Sequence, residues 1–525
     1  MISSRKKNVI VIGGGLAGLS ATVELARSGC NVTLVERNNH LGGKMNILES
    51  EGFTFDMGPT IITMPEVFKG IVSRADRPIE DYCELIDLDP QWRCFYEDGT
   101  TLDLFKDVDR MAKHLDELFP GTGTGDGYRG FVEYSRRMYR LSERVFFYRD
   151  VGAVTDVMKA VPMTDFGLLK DVLGMRMHST VGATVKKHIA DPRARQLVEH
   201  FLQYVGSNPF LAPSILSLIA SAQVDNGCWY PMGGTRKIAQ TLSRIIEELG
   251  VNVILGNGVS KMNIDGDHIT GVTLDDGTTL DADVVVSNCD VQRSYRDLDG
   301  SRKGLDHQKS IRSRYEPACS GVVLYLGLDR QYDHLLHHNF IFSKNPKDEF
   351  QDIYHQGVPA KDPTLYLAVP SRTDPNQAPE GGEALYILVH TAWKRPDQTW
   401  EGPGGMLEQY RNVIIEKLKT CGRMPDIEDH IVVEHSLTPQ GIEEMYNAEG
   451  GAIYGLASHG RLKGGFKPRN RSQVYKNLYL TGGSSNPGPG VPMVLMSGVT
   501  AAGVVREDLG MEDTAPEPMA AHART

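Results

Sequence analysis

A glycine-rich motif between two short apolar segments near the N-terminus constrains the fold more than any other feature. The β-branched run Val9–Ile12 is typical of a buried parallel strand, and Gly13–Gly18 follows it directly as GGGLAG. A helical pattern over Leu19–Ser28 leads to a second apolar strand, Asn31–Val35, which ends at Glu36. This order of strand, glycines, helix, strand and acid is the βαβ dinucleotide-binding fingerprint.

Each position of this motif has a physical reason. Gly13 allows the tight turn, Gly15 lets backbone N–H groups approach a pyrophosphate, and Gly18 lets the helix pack on the strand. The pyrophosphate then lies at a helix N-terminus, where unpaired N–H groups and the helix dipole favour an anion. Glu36 is expected to bind a ribose hydroxyl pair. A glycine-rich turn without a ligand would leave this acid unexplained.

Composition excludes several other classes of protein. Of the 525 residues, 40% are hydrophobic and 23% charged, which is ordinary for a globular chain. The 56 basic and 67 acidic residues give a net charge of −11, so we set aside a general nucleic-acid binder. The seven scattered cysteines form no CxxC pair or zinc spacing, so we expect reduced thiols, no metal and a cytoplasmic location.

Two local patterns are each compatible with more than one structure. Arg5–Lys7 followed by apolar residues resembles the start of a signal peptide, but the run Val9–Ile12 is too short, and we favour the strand. The chain has no uninterrupted apolar stretch of the ~20 residues that a membrane-spanning helix needs. The pair His337-His338 is interpreted as a polar turn before the apolar run Phe340–Phe342.

Two further motifs resemble a known family. Leu41–Lys44 reads LGGK, and Gly52–Thr60 reads GFTFDMGPT. These are similar to motifs of the FAD enzymes in the amine oxidase and carotenoid desaturase superfamily, and the second resembles its phytoene desaturase branch. The resemblance extends from about residue 8 to about residue 508 and includes GGSSNPGPGVPM at 482–493.

The resemblance and the fingerprint together predict FAD as cofactor and a set of residues that bind it. By resemblance, Val259 lies against the adenine and Lys44 lies near the isoalloxazine. The complete set is Gly13, Gly14, Gly15, Leu16, Ala17, Gly18, Glu36, Arg37, Gly43, Lys44, Gly58, Pro59, Thr60, Val259, Gly482, Gly483, Gly490, Val491, Pro492 and Met493. No catalytic residue is identified, because the sequence contains no convincing triad, acidic dyad or metal set.

The expected fold class is α/β, with a Rossmann-like FAD-binding domain and an inserted mixed α+β substrate domain. Residues 251–287 are predicted to form a β-meander. The resemblance implies that this segment returns to the nucleotide domain. We assign 1–75, 225–305 and 470–510 to the FAD-binding domain, 76–224 and 306–469 to a substrate and membrane-contact domain, and 511–525 to a disordered tail.

Several stretches resemble one branch, the diaponeurosporene and diapolycopene oxygenases that act on thirty-carbon polyenes. They include Gln91–Arg93, Gly227–Tyr230 and Gly451–Gly455. The more distant desaturases usually carry Thr-His-Pro where this chain has Ser485–Pro487. The resemblance therefore implies oxidation of a terminal methyl group to an aldehyde, with molecular oxygen or another electron acceptor.

Other functions remain open at this point. A phytoene or diapophytoene desaturase would use the same scaffold, and a forty-carbon substrate is an alternative to a thirty-carbon one. A non-catalytic carotenoid carrier is a remote alternative, because GDP dissociation inhibitors use a related fold to carry lipidated proteins. Monoamine oxidase is disfavoured, since the sequence shows no aromatic-cage signature and no cysteine context for covalent flavin.

A polyene dissolves in lipid, so the resemblance also implies peripheral association with a membrane surface. The stretch Arg140–Arg149 places Phe146 and Phe147 between basic residues, as an interfacial anchor does. The alternative is an ordinary helix that packs its apolar face on the core. Trp92, Trp229 and Tyr230 are interpreted as core or domain-interface aromatics rather than substrate contacts.

Overall fold

A parallel sheet carries the N-terminal motif in the computed structural model, which describes residues 6–153, 155–157, 179–460 and 464–511. Its strands, in order across the sheet, are Leu478–Leu480, Val284–Ser287, Asn8–Ile12, Asn31–Val35 and Asn252–Ile254. Every adjacent pair is parallel, with Ile10 opposite Thr33 on one side and Val285 on the other. The predicted βαβ unit is therefore confirmed, with its helix at Leu16–Arg27.

The small residues of the last helix explain how closely it approaches the first. Val491–Asp508 packs along Leu16–Arg27. A Cβ atom on Gly498 would lie 2.3 Å from the carbonyl oxygen of Ala17, well inside van der Waals contact. Gly498 therefore allows the two helices to pack closely beside the parallel sheet.

The segment predicted as a single meander divides between two sheets. Val259–Asp265, His268–Leu274 and Thr279–Asp281 form a three-stranded antiparallel sheet. Its flanking strands, Asn252–Ile254 and Val284–Ser287, instead join the parallel sheet. The meander prediction was wrong at both ends, because an apolar strand next to a turn does not reveal which sheet it will join.

A seven-stranded sheet forms the second large element. Its strands, in order, are Ile431–Leu437, Ser320–Leu328, Glu383–Thr391, Leu365–Ala368, His338–Ile341, Trp92–Phe95 and Thr101–Leu104. All neighbours are antiparallel except His338–Ile341 and Trp92–Phe95, which are parallel. The mixed α/β fold class is confirmed, and the division into the stated domain ranges stays a prediction.

The histidine pair is buried and does not form a polar turn, so that expectation was wrong. His338 begins a strand, and its Nδ1 lies 2.9 Å from the hydroxyl of Tyr366. The Nδ1 of His337 lies 2.6 Å from Oγ1 of Thr373. Burial lowers the pKa of His337 to about 3, so the ring is neutral at neutral pH. A hydroxyl group from elsewhere in the chain thus lies beside Nδ1 of each buried imidazole.

The other elements surround these sheets. Further helices are Pro65–Arg74, Val108–Leu118, Thr124–Val145, Val181–His188, Pro192–His200, Leu218–Val224, Lys237–Glu248, Arg302–Arg312, Pro346–Gln351, Met406–Thr420 and Pro439–Tyr446. Two small antiparallel pairs are Ile47–Ser50 with Phe53–Asp56 and Leu85–Asp87 with Trp229–Pro231. Among the described residues, no helix is long and apolar enough to span a bilayer. All but the first residue of the predicted disordered tail lies outside the described ranges.

Both faces of the seven-stranded sheet are covered by apolar packing. On one face Tyr325 and Phe340 belong to the same core as Phe131 and Leu197, which come from helices of the first insertion. On the other face the strands pack against the helix Met406–Thr420. Trp92 is fully buried in the first of these cores, with its ring centroid 4.6 Å from that of Phe340. The core interpretation of Trp92 is therefore confirmed.

Candidate active site

A cavity of about 670 Å³ opens where the strands of the parallel sheet end, and we call it the nucleotide cavity. Most of the predicted cofactor residues line it: Gly13, Gly15, Leu16, Ala17, Glu36, Arg37, Gly43, Lys44, Gly58, Pro59, Val259, Gly482, Gly483, Gly490 and Val491. Its position at the carboxyl ends of parallel strands is where open α/β sheets bind ligands.

The N-terminus of the first helix faces this cavity. Gly15 is the N-cap residue and offers no side-chain oxygen to the N–H groups of the first turn. A Cβ atom at Gly15 would lie 2.8 Å from Nδ2 of Asn288, so a larger residue would fill the space above the helix. The unpaired N–H groups and the positive end of the dipole suit a pyrophosphate at this point.

Glu36 is held rigidly at the end of the second strand. Its side chain is buried, one carboxylate oxygen accepts the N–H of Gly14 at 2.7 Å, and the other accepts the N–H of Asn38 at 2.8 Å. Each carboxylate oxygen can still accept a further hydrogen bond. Gly14 thus orients the acid instead of lining the cavity. Gly18 also lies outside the cavity. It lets the helix approach the end of the first strand, since a Cβ there would be 2.0 Å from the carbonyl oxygen of Gly13.

Lys44 lines the nucleotide cavity and anchors a neighbouring loop. Its Nζ donates hydrogen bonds to the carbonyl oxygens of Ala452, at 3.0 Å, and Ile453, at 2.7 Å. Burial lowers the pKa of Lys44 to about 8, and the nearby Asp290 carboxylate opposes that shift. The ammonium therefore keeps one N–H for a ligand while it ties residues 452–453 to the cavity wall.

A second cavity, of about 210 Å³, adjoins the first, and we call it the apolar cavity. Thr60, Pro492 and Met493 line this space instead of the nucleotide cavity. Side chains such as Ile61, Val205 and Leu218 give it an apolar wall. The residues common to both cavities are Gly58, Pro59, Tyr386, Leu388, Tyr454, Pro489, Gly490 and Val491. A ligand in the nucleotide cavity would thus meet an apolar ligand at a defined boundary.

Phe146 and Phe147 line the apolar cavity, which favours the alternative of inward packing over an interfacial membrane anchor. Phe147 is only 8% exposed, and the Phe146 ring lies 5.5 Å from that of Phe466. The helix Thr124–Val145 ends immediately before them, and the chain turns at Tyr148, which has φ of 57°. The turn directs both rings inward, whereas a continued helix would have separated them by 100°.

Sequence reasoning missed several side chains that line the apolar cavity. Tyr386, Leu388 and His390 alternate along one strand and face this space together. The Nε2 of His390 lies 3.1 Å from the hydroxyl of Tyr454. The alternation of side chains along a strand could have predicted that Tyr386, Leu388 and His390 share one face. It could not have indicated which face lines a cavity, or that Tyr454, 64 residues away in sequence, is the partner of His390.

Lys467 is a second buried lysine that the sequence did not single out. Its Nζ donates to the carbonyl oxygens of Leu456, at 2.7 Å, and Ala457, at 2.9 Å, and to Oγ of Ser458, at 2.8 Å. Burial lowers its pKa to about 7. All three ammonium hydrogens are used in fixing residues 456–458, so Lys467 supports the cavity wall.

Asn486 occupies a structural position. Its side-chain amide donates to the carbonyl oxygen of Arg149 at 2.6 Å and to Oδ1 of Asn470 at 3.0 Å. The side chain is buried and lies outside both cavity walls, while the following Pro487 lines the apolar cavity. Asn486, which stands where the desaturase motif has histidine, therefore shapes the loop and lines neither cavity.

The described part of the chain contains no cluster of three or more histidine, cysteine, aspartate or glutamate side chains that could hold a metal ion. The nucleotide cavity fits FAD on its own geometry, because it combines an uncapped helix N-terminus, glycines that leave backbone exposed and a fixed acid at the strand end. A side chain in place of a lining glycine such as Gly15 would occupy part of the space that the cofactor needs.

Comparison with known proteins agrees with this geometry. The sequence profile described as flavin containing amine oxidoreductase matches residues 16–506. The chain is 38% identical to the 4,4'-diaponeurosporene oxygenase of Staphylococcus haemolyticus over 504 residues, covering 95% of this chain and 96% of that one. It is 37% identical to the 4,4'-diapolycopene oxygenase of Methylomonas sp over 511 residues, covering 97% and 100%.

A solved structure supports the same fold. An oxidoreductase from Methanosarcina mazei superposes with a TM-score of 0.60 at 18% identity, covering 94% of this chain and 99% of that chain. The predicted cofactor and the predicted enzyme class are both confirmed. The chain is a FAD-dependent oxidoreductase and belongs to the flavin-containing amine oxidoreductase family.

Proposed function

We propose that the protein oxidises the terminal methyl group of a thirty-carbon polyene to an aldehyde. The observation that carries this proposal is the apolar cavity that meets the nucleotide cavity at Tyr386, Leu388 and Tyr454. A hydrocarbon end group placed there would lie beside a cofactor in the neighbouring space. The two oxygenases that align with nearly the whole chain have names that specify such substrates.

We assign FAD to the residues predicted from the sequence. The pyrophosphate would lie at Gly13–Gly18, the ribose at Glu36 and the adenine against Val259. FAD, when bound, would supply the two-electron oxidant for each of two successive steps, from methyl to alcohol and from alcohol to aldehyde, and water would supply the oxygen atom that the first step adds to the terminal carbon. The protein positions the polyene, excludes bulk water by its apolar walls and keeps the boundary residues in fixed orientations.

We also propose a domain division that follows the cavities. Segments 1–75, 225–305 and 470–510 would form the FAD-binding domain, and 76–224 with 306–469 the substrate domain. The parallel sheet draws its strands from the first set, and the seven-stranded sheet from the second. The substrate wall of the apolar cavity includes residues of both insertions, such as Val205 and His390.

Peripheral contact with a membrane completes the proposal. A polyene partitions into lipid, so an enzyme without a route to the bilayer would rarely meet its substrate. Phe146 and Phe147 face the apolar cavity, and we assign them to the substrate path instead of the protein surface. Molecular oxygen or another acceptor would reoxidise the cofactor between turnovers.

The test is to supply the FAD-loaded protein with liposomes that contain either diapolycopene or diapophytoene, in the presence of oxygen, and to identify products by mass. Gain of oxygen on diapolycopene is the expected result. Stepwise loss of hydrogen pairs from diapophytoene, without oxygen gain on either substrate, would replace the oxygenase proposal with a desaturase. Binding of both polyenes without any chemical change would indicate a carrier.

A further inference from the structure

The boundary between the two cavities contains one hydrogen-bonded pair of titratable side chains, formed by Tyr454 and His390. Tyr454 lines both cavities, and His390 lines the apolar one. The Nε2 of His390 is 3.1 Å from the Tyr454 hydroxyl, and the two rings stack with centroids 5.9 Å apart. The pair therefore presents a phenol where an apolar substrate would meet the nucleotide cavity.

The charge state of this pair suits an apolar surrounding. His390 is only 6% exposed, and burial lowers its pKa to about 4, so the imidazole is neutral at neutral pH. His200, which also lines the apolar cavity, is kept neutral by burial with a pKa of about 3. A neutral imidazole can accept a proton at one nitrogen while the other carries a hydrogen.

A hydrocarbon gives this pair nothing to bind. Polar groups placed in an apolar site reduce stability unless they find partners, and the carbon chain of a polyene offers none. In the imidazole tautomer that accepts the Tyr454 hydroxyl proton at Nε2, the Tyr454 oxygen keeps acceptor capacity for a ligand. A ligand with an oxygen atom at its reacting end would use this capacity, and it would do so at the cavity boundary.

We propose that Tyr454 and His390 form an oxygen subsite, which binds the hydroxyl or carbonyl oxygen on the terminal carbon of the partly oxidised polyene. This inference rests on the proposed function and extends its substrate class from hydrocarbons to polyene alcohols and aldehydes. Tyr454 would contact the substrate oxygen, and His390 would accept the proton that the alcohol loses. Tyr454 is thus a catalytic residue, and His390 acts through it as a positioning and proton-accepting residue.

The second oxidation step then balances within the subsite. The alcohol O–H bond would break, the carbon–oxygen double bond would form, and one carbinol hydrogen would leave with its electron pair. FAD, when bound, would supply the two-electron oxidant that this step needs. The hydroxyl proton passes to Tyr454 while the phenol proton passes to Nε2 of His390. When the aldehyde is bound, the other imidazole tautomer donates to Tyr454, and Tyr454 donates to the carbonyl oxygen.

Binding of the aldehyde product to the FAD-loaded protein gives a readout that does not depend on turnover. We expect the visible absorbance of a polyene aldehyde to shift to longer wavelength in the wild type. In Tyr454→Phe the absorbance shift should disappear, and the affinity for the aldehyde should fall about tenfold because one hydrogen bond to its oxygen is lost. Affinity for the parent hydrocarbon should not change.

Tyr128→Phe is the matched control. Tyr128 is buried, lies outside both cavity walls, and its hydroxyl has no hydrogen-bond partner among the described residues. This variant should bind the aldehyde with the wild-type shift. Bound flavin absorbance verifies that each variant is folded, and His390→Gln provides a second variant of the subsite.

Turnover separates this inference from the proposed function. In both subsite variants the polyene alcohol should accumulate, and aldehyde formation should slow by about 10²-fold, a typical loss for a proton acceptor. Suppose that the wild type is active and that both subsite variants keep its absorbance shift with bound aldehyde, its affinity for the aldehyde and its product ratio. That result would overturn the subsite and leave the proposed function standing. A wild type that never adds oxygen to a polyene would overturn the proposed function.

Discussion

The ring of Tyr454 lies directly over Gly206, so closely that a Cβ atom on Gly206 would be 2.3 Å from Cδ2 of the ring. Gly206 has φ of 56°, in the left-handed region that favours glycine. The Tyr454 ring thus contacts this backbone and also stacks on the ring of His390. The position of the Tyr454 hydroxyl depends on a residue that touches neither substrate nor cofactor.

Gly206→Ala should therefore disturb the oxygen subsite from outside. The added methyl group must displace the Tyr454 ring, and the backbone conformation adds about 1 kcal/mol of strain. We expect FAD binding to persist while the absorbance shift of bound polyene aldehyde is lost. A normal shift in this variant, together with normal product ratios, would show that the ring position does not matter.

Gly15→Val should prevent FAD binding without unfolding the protein. Gly15 has φ of −67° and ψ of 172°, a conformation that valine adopts easily, so the effect is confined to the space above the helix. The purified variant should lack flavin absorbance after incubation with FAD, with a melting temperature close to that of the FAD-free wild type. Full flavin content in this variant would place the cofactor elsewhere.

Leu388→Trp should block contact between the two cavities. Leu388 lines both, and an indole there would fill the boundary while leaving the helix N-terminus untouched. We expect full flavin content with loss of polyene oxidation of at least tenfold, measured in liposomes. Val432→Trp, at a position 55% exposed, is the control for the bulky substitution and should keep wild-type activity. Equal turnover by both variants would contradict the proposed substrate path.

Buried His337 predicts a pH-dependent contribution to stability. Its pKa is lowered from 6.5 to about 3 in the fold, so below pH 6.5 the unfolded chain takes up a proton that the native protein does not. The stability that neutral His337 provides is therefore lost as pH falls. The difference in free energy of unfolding between wild type and His337→Gln should shrink by about 2 kcal/mol from pH 7 to pH 5. Urea unfolding of both proteins at pH 7 and pH 5 measures this difference in free energy. A difference that does not change with pH would refute the prediction.

The local sequence pattern was sufficient to predict the βαβ unit and the class of ligand that it binds. Val9–Ile12, the glycines and Glu36 each have a fixed geometric requirement, and these requirements act over short distances. The same reasoning could not assign Asn252–Ile254 to the parallel sheet, because pairing with Asn31–Val35 depends on the whole topology.

Side-chain direction was the other property that local patterns did not determine. Phe146 and Phe147 lie between basic residues in sequence, yet the end of the helix turns both inward. His337 and His338 have the polarity of a turn, yet both are buried, and a hydroxyl group from a residue distant in sequence lies within hydrogen-bond distance of Nδ1 of each ring. The His390–Tyr454 pair likewise exists only because a strand and a remote loop meet.

The measurement that tests the central claim most directly is the absorbance of bound flavin during an anaerobic reaction with polyene. The FAD-loaded protein is mixed with diapolycopene liposomes without oxygen, and the flavin spectrum and polyene products are followed together. We predict that the oxidised flavin absorbance falls in proportion to the polyene consumed, and that readmitted oxygen or another acceptor restores it. An unchanged flavin spectrum with polyene bound would contradict oxidation of the substrate by the cofactor.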